Sequence, residues 1–181
     1  MARRYELRRR AERQAETRRR IVEAAIDLHS TSGPAHTSIS AIAERAGVQR
    51  HTVYAHFGDE SVLFRACSGH WREQHPFPKV ASLDLRSALS AVYDWYEEVE
   101  DALALFARDA QLYPEIWEER ARQLDRTADA LARPLGRRKV VRAAVGHALA
   151  FETWRSLVRR EGLTKRQAVD AMLALVDGVR A

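Results

Sequence analysis

Residues 49–57 of this 181-residue chain carry side chains whose types and spacing suit contact with a nucleic acid. In a helix, Val53 and Phe57 share one face because they are four residues apart, and we expect that face to point inward. The remaining side chains can then donate or accept hydrogen bonds at phosphates and base edges. These candidate contact residues are Gln49, Arg50, His51, Thr52, Tyr54 and His56.

A second candidate for chemistry is the group Cys67, His70 and His75, whose spacing resembles part of a metal site. It lacks a second pair of ligands, and Pro76 disturbs the end of the helix that would carry it, so we expect no metal there. The single cysteine excludes an internal disulfide and fits a reducing cytoplasm. The chain also lacks a glycine-rich phosphate loop and a nucleophile elbow, so we expect neither an enzyme nor a bound cofactor.

A helix-turn-helix would place residues 49–57 at the surface. Residues 38–46 have the apolar spacing of a short amphipathic helix, and Gly47 can adopt the left-handed conformation that ends a helix and begins a sharp turn. Val48 supplies an apolar side chain where the turn meets the core. An ordinary helical hairpin with a polar outer face would show the same pattern, so the motif by itself leaves both interpretations open.

Apolar residues recur every three or four positions along the rest of the chain, which is the period of a helix. Glycine and proline separate the repeats, and no segment alternates as a strand does. The sequence therefore predicts an all-α protein of about nine helices, with a boundary near residues 66–80. Nothing between Asp84 and Tyr113 marks a helix end, and residues 138–161 are predicted to form one helix.

Positive charge is concentrated at the N-terminus. The chain has a net charge of +5, and residues 1–20 contain nine arginines against three glutamates. A basic block beside a nearly neutral body suggests a polyanion as partner, although a solvated tail that binds nothing would look the same. Nucleic acid is favoured over a membrane because these residues lack the tryptophan, phenylalanine and multiple leucines of an interfacial helix. No apolar run approaches about 18 residues, the length of a membrane span.

Taken in order along the chain, these features resemble the TetR (tetracycline-repressor-like) family of bacterial transcriptional regulators. The resemblance covers 47 residues, from Thr17 to Leu63, and beyond residue 66 it is one of length and helix pattern only. The segments that carry it are Arg19–Leu28, Gly33, Thr37–Ala43, Ala46–Val48, Thr52–Tyr54, His56 with Phe57, and Val62 with Leu63.

The resemblance implies a fold of nine helices, the first three of which form a DNA-binding domain. That domain would cover residues 17–66, after a basic arm at residues 1–16, and residues 67–181 would bind a ligand and dimerise. Two copies would bind a pseudo-palindromic operator in double-stranded DNA, with half-sites spaced by whole helical turns of about 34 Å. Most members of the family repress transcription, so the resemblance implies a cytoplasmic repressor released by an unidentified small-molecule effector.

The resemblance also assigns roles within the third helix. Arg50 and His51 lie at its start, the end that faces bases, and an arginine can bind guanine O6 and N7 as a fork. Thr52 would contact a thymine methyl group or a phosphate. Tyr54 and His56 match family positions that usually contact the DNA backbone.

Contacts to phosphate are also expected at the start of the second helix, where Thr37 and Ser38 would offer hydroxyl and amide groups. Glu60 departs from the family, which often has a phosphate-contacting lysine at this position. Ala55 is small and gives little base readout. These two departures support the alternative, a helical scaffold or ligand-binding protein whose helix-turn-helix does not contact DNA.

Aromatic residues of the second domain are candidates for an effector pocket, since aromatic side chains commonly line pockets. They are equally common in cores. The acidic run at residues 94–101 would either attract a cationic effector or form a solvated face. The candidate pocket residues are Tyr96, Phe106, His147, Phe151 and Trp154.

The last two predicted helices, residues 138–161 and 165–179, have the apolar residues of a dimer face. Two such helices from each partner would form a four-helix bundle. The alternative is that they close the core of a monomer. The apolar residues in question are Val141, Val145, Leu149, Leu157, Leu173 and Val176.

Overall fold

The structure is a computed structural model that describes residues 2–180. Within that range it contains nine α-helices and no strand, which confirms the predicted all-α fold. None of the helices described is both long and apolar enough to cross a bilayer. Their bounds are α1 Ala2–Thr31, α2 Ile39–Ala46, α3 Arg50–Phe57, α4 Glu60–Gln74, α5 Leu85–Arg108, α6 Pro114–Ala132, α7 Lys139–Ala148, α8 Phe151–Arg155 and α9 Lys165–Gly178.

The basic arm and the first DNA-binding helix predicted from the sequence form one continuous helix, α1. No glycine or proline precedes Gly33, and the arm is rich in arginine, glutamate and alanine, which favour helix. Exposed ion pairs join Arg8 to Glu12 at 2.9 Å and Arg19 to Glu23 at 2.6 Å, and pairs of this spacing add a few tenths of a kcal/mol each. The arm therefore extends the helix by about 22 Å.

Two compact units divide the chain, and the first comprises Met1–Pro76 with Asp101–Ile116. Apolar faces of α1, α2, α3 and α4 form its core. Ser38 caps α2 by accepting from the amide of Ala41 at 3.1 Å, and Asp59 caps α4 by accepting from the amide of Val62 at 2.9 Å. The buried core residues include Ile21, Ala25, Ile42, Val53, Phe57 and Leu63.

The end of α5 and the turn after it pack within this first unit. Tyr113 stacks on Phe64 with ring centroids 3.7 Å apart, and Phe106 meets the same ring edge-on at 6.4 Å. The predicted boundary near residues 66–80 did not anticipate this return of the chain. Residues 101–116 join the first unit through contacts between residues far apart in sequence. Apolar periodicity contains no information about such contacts.

A buried carboxylate fixes the loop between α1 and α2. Asp109 accepts a hydrogen bond from the amide of Ala35 at 2.9 Å and pairs with Arg108 at 2.7 Å. The guanidinium of Arg108 holds the pKa of Asp109 below its usual range, and it also donates to the carbonyl of Ser32 at 3.1 Å. The loop is thus positioned by two adjacent charged residues at the end of α5.

The second unit comprises Phe77–Glu100 and Trp117–Ala181. The helix predicted over residues 138–161 is wrong, because α7 ends at Ala148 and α8 begins at Phe151. Two tyrosines of α5 explain the break. Tyr93 donates its hydroxyl to the carbonyl of Ala148 at 2.9 Å, and Tyr96 donates to the carbonyl of Leu149 at 2.7 Å. Helix-terminal carbonyls that find such partners need no glycine or proline to end the helix.

The break changes which side chains of α7 point inward. In one continuous helix over residues 138–161, Val140 and His147 would point inward with Ala144, Phe151 and Trp154. In the structure Val140 is 41% exposed and His147 is also exposed, so the expectation is wrong for these two residues, whereas Ala144, Phe151 and Trp154 are buried. A pattern of inward-facing residues calculated for one continuous helix does not apply beyond the residue where the helix ends. The buried face of α7 is instead Val141, Ala144, Val145 and Ala148.

Four of the residues assigned to a dimer face lie in the core of the second unit. Val141, Val145, Leu149 and Val176 are each 1% exposed or less within one chain. Side chains that are already buried in the single chain cannot form the surface of a dimer. For these four residues the alternative, closing the core of one chain, is therefore correct. Leu157 and Leu173 are half-buried.

The acidic run of α5 is engaged by basic residues of the same unit. Asp94 pairs with Lys165, and Glu100 accepts from Arg159 at 2.7 Å. Glu97 lies 3.9 Å from the same arginine. These pairs remove most of the support for a cationic effector attracted to this run.

We predict that Gly33→Ala destabilises the first unit. Gly33 has φ 88°, and an added Cβ would lie 2.6 Å from Oδ2 of Asp109, so both backbone strain and a collision oppose the substitution. Strain of this kind costs about 1–3 kcal/mol in the free energy of unfolding, measurable by urea denaturation. Gly69→Ala is the matched control, because Gly69 lies inside α4 with open space around it. There alanine is expected to stabilise by about 0.5–1 kcal/mol, and equal effects at the two glycines would contradict the prediction.

Candidate nucleic-acid interface

Helix α3 is held to its unit by two side chains and leaves the others at the surface. Val53 is 1% exposed and Phe57 is 4% exposed, as their spacing predicts. Gln49, Arg50 and His51 are exposed at the start of the helix. Three further residues along the helix are half-buried, namely Thr52, Tyr54 and His56. The structure therefore gathers all six candidate contact residues of residues 49–57 on or beside one short helix with a polar outer side.

A tight turn sets the angle at which α3 leaves α2. Gly47 has φ 64° and ψ 41°, the left-handed conformation predicted for it. Its amide donates to the carbonyls of Ala43 and Glu44, and the amide of Val48 donates to Ala43 at 2.9 Å. This pattern satisfies the last carbonyls of α2 within the turn itself, so the turn is compact and only residues 47–49 separate the two helices.

Arg50 lies against Tyr54, one turn further along α3. Its Nη2 donates to the tyrosine hydroxyl at 3.3 Å, and its guanidinium carbon is 5.6 Å from the ring centroid. Both side chains sit on the outer side of the helix. A solvated contact of this kind contributes little to stability, so the arginine can exchange it for a base or a phosphate.

Arg18 of α1 secures the C-terminal end of α3. Its guanidinium lies 4.1 Å from the ring centroid of Phe57, and its Nη1 donates to the backbone carbonyl of His56 at 2.8 Å. A cation at a helix C-terminus is also favoured by the helix dipole. Sequence reasoning missed this role, because nothing distinguishes Arg18 from the other eight arginines of residues 1–20.

The two hydroxyl groups before α2 differ in what they can offer. The Thr37 hydroxyl donates to the carbonyl of Gly33 at 2.9 Å, so its proton is already used. The Ser38 hydroxyl accepts from the amide of Ala41, which leaves its proton available. Phosphate oxygens only accept hydrogen bonds, so of the two hydroxyls Ser38 is the better phosphate donor.

Glu60 lies in the first turn of α4, directly after the capping residue Asp59. An acid is favourable there because the positive end of the helix dipole lies nearby. The same charge repels phosphate, so this departure from the family is explained by helix stability. Ala55 is exposed and adds only a methyl group to the outer side of α3.

Helix α1 carries exposed arginines that have no acidic partner among residues 2–180, and most of them lie in the arm. Among residues 2–180, ion pairs involve Arg8 and Arg19 but none of a further group of exposed arginines on this helix. Positive charge that is not neutralised locally contributes to attraction of a polyanion. The arginines in this group are Arg4, Arg9, Arg10, Arg13 and Arg20.

The single cysteine lies in the core of the first unit, beside a histidine. Sγ of Cys67 lies 3.5 Å from Nδ1 of His29 and also donates to the carbonyl of Phe64 at 3.2 Å. Burial raises the pKa of Cys67 to about 12 and lowers the pKa of His29 to about 4. The pair is therefore a neutral thiol and a neutral imidazole at physiological pH. Within residues 2–180, no three His, Cys, Asp or Glu side chains are grouped as metal ligands would be.

Three of the five candidate pocket residues come together in the second unit. The ring of Tyr96 lies 5.2 Å from that of Phe151 and 5.7 Å from that of Trp154, and all three side chains are buried. Phe106 belongs to the first unit, where its ring lies 5.8 Å from that of Trp71. His147 is exposed, with Nδ1 3.3 Å from the hydroxyl of Thr153.

We predict that Arg18→Met loosens the end of α3. Loss of the hydrogen bond to His56 and of the contact with Phe57 should lower the free energy of unfolding by about 1–2 kcal/mol. Amide hydrogen exchange should also accelerate in the last turn of α3. Arg10→Met is the control, because it removes the same charge from an exposed position of the same helix. If the two variants unfold and exchange alike, Arg18 does not secure α3.

Comparison with known sequences supports this geometry. Residues 21–67 match the family described as "Bacterial regulatory proteins, tetR family". Over 49 residues the chain is 47% identical to the HTH-type transcriptional regulator AcrR of Shigella flexneri, a match that covers 27% of this chain and 23% of that protein. Over 69 residues it is 39% identical to the HTH-type transcriptional regulator TtgR of Pseudomonas putida, covering 38% of this chain and 33% of that regulator. The chain thus matches about a quarter to a third of these relatives' lengths.

Solved structures share the fold over most of the chain. A transcriptional regulator from Rhodococcus sp. Rha1 superposes with a TM-score of 0.62 at 19% identity, covering 88% of this chain and 95% of that chain. A TetR family transcription regulator from Marinobacter aquaeolei VT8 gives a TM-score of 0.56 at 19% identity, covering 91% and 97%. Residues 21–67 are therefore similar in sequence to the tetR family of bacterial regulatory proteins and have its helix-turn-helix geometry, and the chain shares an all-helical fold with solved transcriptional regulators.

Proposed function

We propose that this protein is a transcriptional regulator that binds double-stranded DNA as a homodimer, and that it acts as a repressor released by a small-molecule effector. The observation that carries the proposal is the arrangement of α3. This helix is anchored by Val53 and Phe57 and presents an otherwise polar surface directly after a tight turn. That surface is of a size and chemistry that fits the major groove.

Within the groove, the start of α3 reads bases. Arg50 leaves its contact with Tyr54 and forms a fork to guanine O6 and N7, which is worth about 1–3 kcal/mol of discrimination. His51 and Gln49 lie beside it and offer further donors and acceptors. Thr52 contacts a thymine methyl group or a phosphate.

Backbone contacts set the register of α3 on the duplex. Tyr54 and His56 contact phosphates from further along the helix. Ser38 donates its free hydroxyl proton to a phosphate at the start of α2. Thr37 contacts phosphate only by exchanging a bond that it already makes, either from its hydroxyl to the carbonyl of Gly33 or from its amide to the carbonyl of Pro34. The basic arm, residues 1–16, continues α1 and adds charge that reaches the DNA backbone or a neighbouring groove.

Dimerisation places two copies of α3 on one pseudo-palindromic operator, and the domain of residues 67–181 provides the contact between partners. Exposed apolar side chains on two packed helices support this assignment. Val140 of α7 and Leu175 of α9 are each 41% exposed, and α7 packs against α9. Both residues were absent from the sequence-based list of dimer contacts.

The same domain holds the effector, and residues 17–66 bind the operator. The cluster of Tyr96, Phe151 and Trp154 supports an aromatic lining for the effector site. Coupling between two such sites is typically about 1–3 kcal/mol, enough to change operator affinity several-fold or more. A regulator of this kind works on the bacterial chromosome, and therefore in the cytoplasm. The buried Cys67–His29 pair is neutral, so it is not an activated nucleophile and adds no support for an enzyme.

The alternative function is a helical scaffold or ligand-binding protein whose helix-turn-helix does not contact DNA. Glu60 and Ala55 are the features that favour it. A mobility-shift assay with DNA from upstream of the protein's own gene separates the two functions, because only a regulator retards that DNA specifically.

We predict that selection from random DNA yields an inverted repeat, and that two variants of α3 then behave differently on it. Arg50→Ala should relax preference at one base position of each half-site, because the fork to guanine is lost. Tyr54→Phe should weaken all sites alike, because it removes a hydroxyl that contacts the backbone. The measurements are the selected sequences and the affinities for matched and mismatched sites.

Retention of both site preference and affinity by the two variants would refute these residue roles. Selection of a site without repeat symmetry would refute the dimer on its operator. Failure to select any sequence would favour the scaffold.

We predict that the arm contributes to the salt dependence of operator binding. Replacing Arg9, Arg10 and Arg13 with glutamine preserves helix propensity and removes three charges. Each phosphate contact that is lost lowers the slope of log affinity against log salt by about 0.9, and the dimer carries the three substitutions twice, so the slope should fall by roughly five. The control replaces three exposed arginines of the second unit with glutamine, which changes the net charge by the same amount. These are Arg126, Arg133 and Arg166. An arm variant with the slope of this control would show that the arm is idle.

A further inference from the structure

Arg120 of α6 is a half-buried cation, and no carboxylate among the described side chains is paired with its enclosed charged end. Its Nη2 is inaccessible to solvent and has no hydrogen-bond partner. Burial lowers the pKa of Arg120 below its ordinary value, although an arginine remains charged in a protein. Among the side chains described in residues 2–180, no carboxylate forms an ion pair with it. It lies in the second unit, which carries the effector in the function proposed above.

The neighbours of Arg120 are aromatic side chains of α5. Its guanidinium carbon lies 5.2 Å from the ring centroid of Trp95, and its guanidinium interacts with the hydroxyl of Tyr96. The proton of that hydroxyl is donated to the carbonyl of Leu149 at 2.7 Å, so toward Arg120 the tyrosine acts as an acceptor. The aromatic face and the hydroxyl orient the guanidinium, but neither supplies a full negative charge.

Three acidic residues of α6 near Arg120 pair with other arginines. Asp125 and Asp129 of α6 both pair with Arg142, at 2.6 and 2.9 Å. Glu118 pairs with Arg122 at 3.4 Å on the exposed side of the helix. Enclosed charges in proteins are normally paired, because removing a charge from water without compensation is costly. An unpaired, oriented guanidinium is therefore typical of a site whose anion is a ligand.

We propose that Arg120 anchors the effector by binding its carboxylate group, and that the effector is a small monocarboxylate whose apolar body packs against Trp95 and Tyr96. This inference rests on the effector role proposed above. The planar fork of a guanidinium matches the two oxygens of a carboxylate. One enclosed guanidinium balances one negative charge, whereas a phosphate monoester near its second ionisation would leave negative charge uncompensated. A cation is disfavoured at the same place by the charge of Arg120.

The first test measures ligand binding without DNA. The probes are benzoate and octanoate, each compared with its neutral amide, benzamide and octanamide. Binding is followed by calorimetry and by tryptophan fluorescence, since Trp95 lies beside the guanidinium. At least one carboxylate should bind the wild-type protein saturably and at least about ten-fold more tightly than its amide, because charge-assisted hydrogen bonds are lost in the amide.

Arg120→Met removes the charge and keeps a stem of similar length. Arg126→Met is the matched control, because Arg126 is an exposed arginine of the same helix. Only Arg120→Met should abolish the preference for carboxylate over amide. Without ligand, Arg120→Met should have a melting temperature equal to or above that of the wild type, because an uncompensated enclosed charge is replaced by an apolar group.

Three outcomes would overturn the proposal. One is equal binding of acid and amide, and another is retention of carboxylate binding by Arg120→Met. The third is that no carboxylate probe binds at millimolar concentration; if Arg120→Met then also lowers the melting temperature, Arg120 is a structural partner of Tyr96. Operator binding without ligand is measured in parallel. If the wild-type protein does not bind the operator, the proposed regulator is contradicted. If it binds the operator but no carboxylate, only the Arg120 site is contradicted.

Discussion

Burial of Val53 and Phe57 fixes how α3 is rotated about its own axis, and the outer surface of the first unit depends on that rotation. Burying two such side chains contributes about 3–6 kcal/mol, which is large against the net stability of a domain. Rotating α3 about its axis by one residue would bury a polar side chain and expose an apolar one. Because only these two residues of α3 are buried, the polar residues around them remain at the surface. A recognition surface on so short a helix is thus a consequence of core packing.

Several helix ends in this protein are completed by side chains from distant parts of the chain. Arg18 donates to the last turn of α3, and two tyrosines of α5 complete the end of α7 by donating to its carbonyls. Asp109, after α5, binds an amide of the loop that precedes α2. Backbone groups at helix ends must be satisfied, and a side chain can do this as well as a glycine turn. Helices so completed are positioned as well as terminated, because the partner residue lies on another helix.

Charge is arranged differently in the two units. In the first, several arginines of α1 lack acidic partners among residues 2–180 and project into solvent, where they add to the field that attracts a polyanion. In the second, the acidic residues of α5 pair with Lys165 and Arg159, so little net field remains on that face. Arg120 is the exception there, since its guanidinium is enclosed beside aromatic rings and lacks a carboxylate partner among the described side chains. The exposed arginines of α1 suit a large polyanion, whereas the single enclosed guanidinium of Arg120 suits a small anionic ligand.

The all-helical fold, the turn at Gly47 and the inward direction of Val53 and Phe57 could be predicted from the sequence. These features follow from local rules, namely apolar period and the conformations open to glycine. The tertiary structure decided the break between α7 and α8, the exposure of His147 and the burial of Val141 and Val145. It also decided the return of residues 101–116 to the first unit and the roles of Arg18 and Arg120. Each of these depends on a partner far away along the chain, and local periodicity carries no information about such partners.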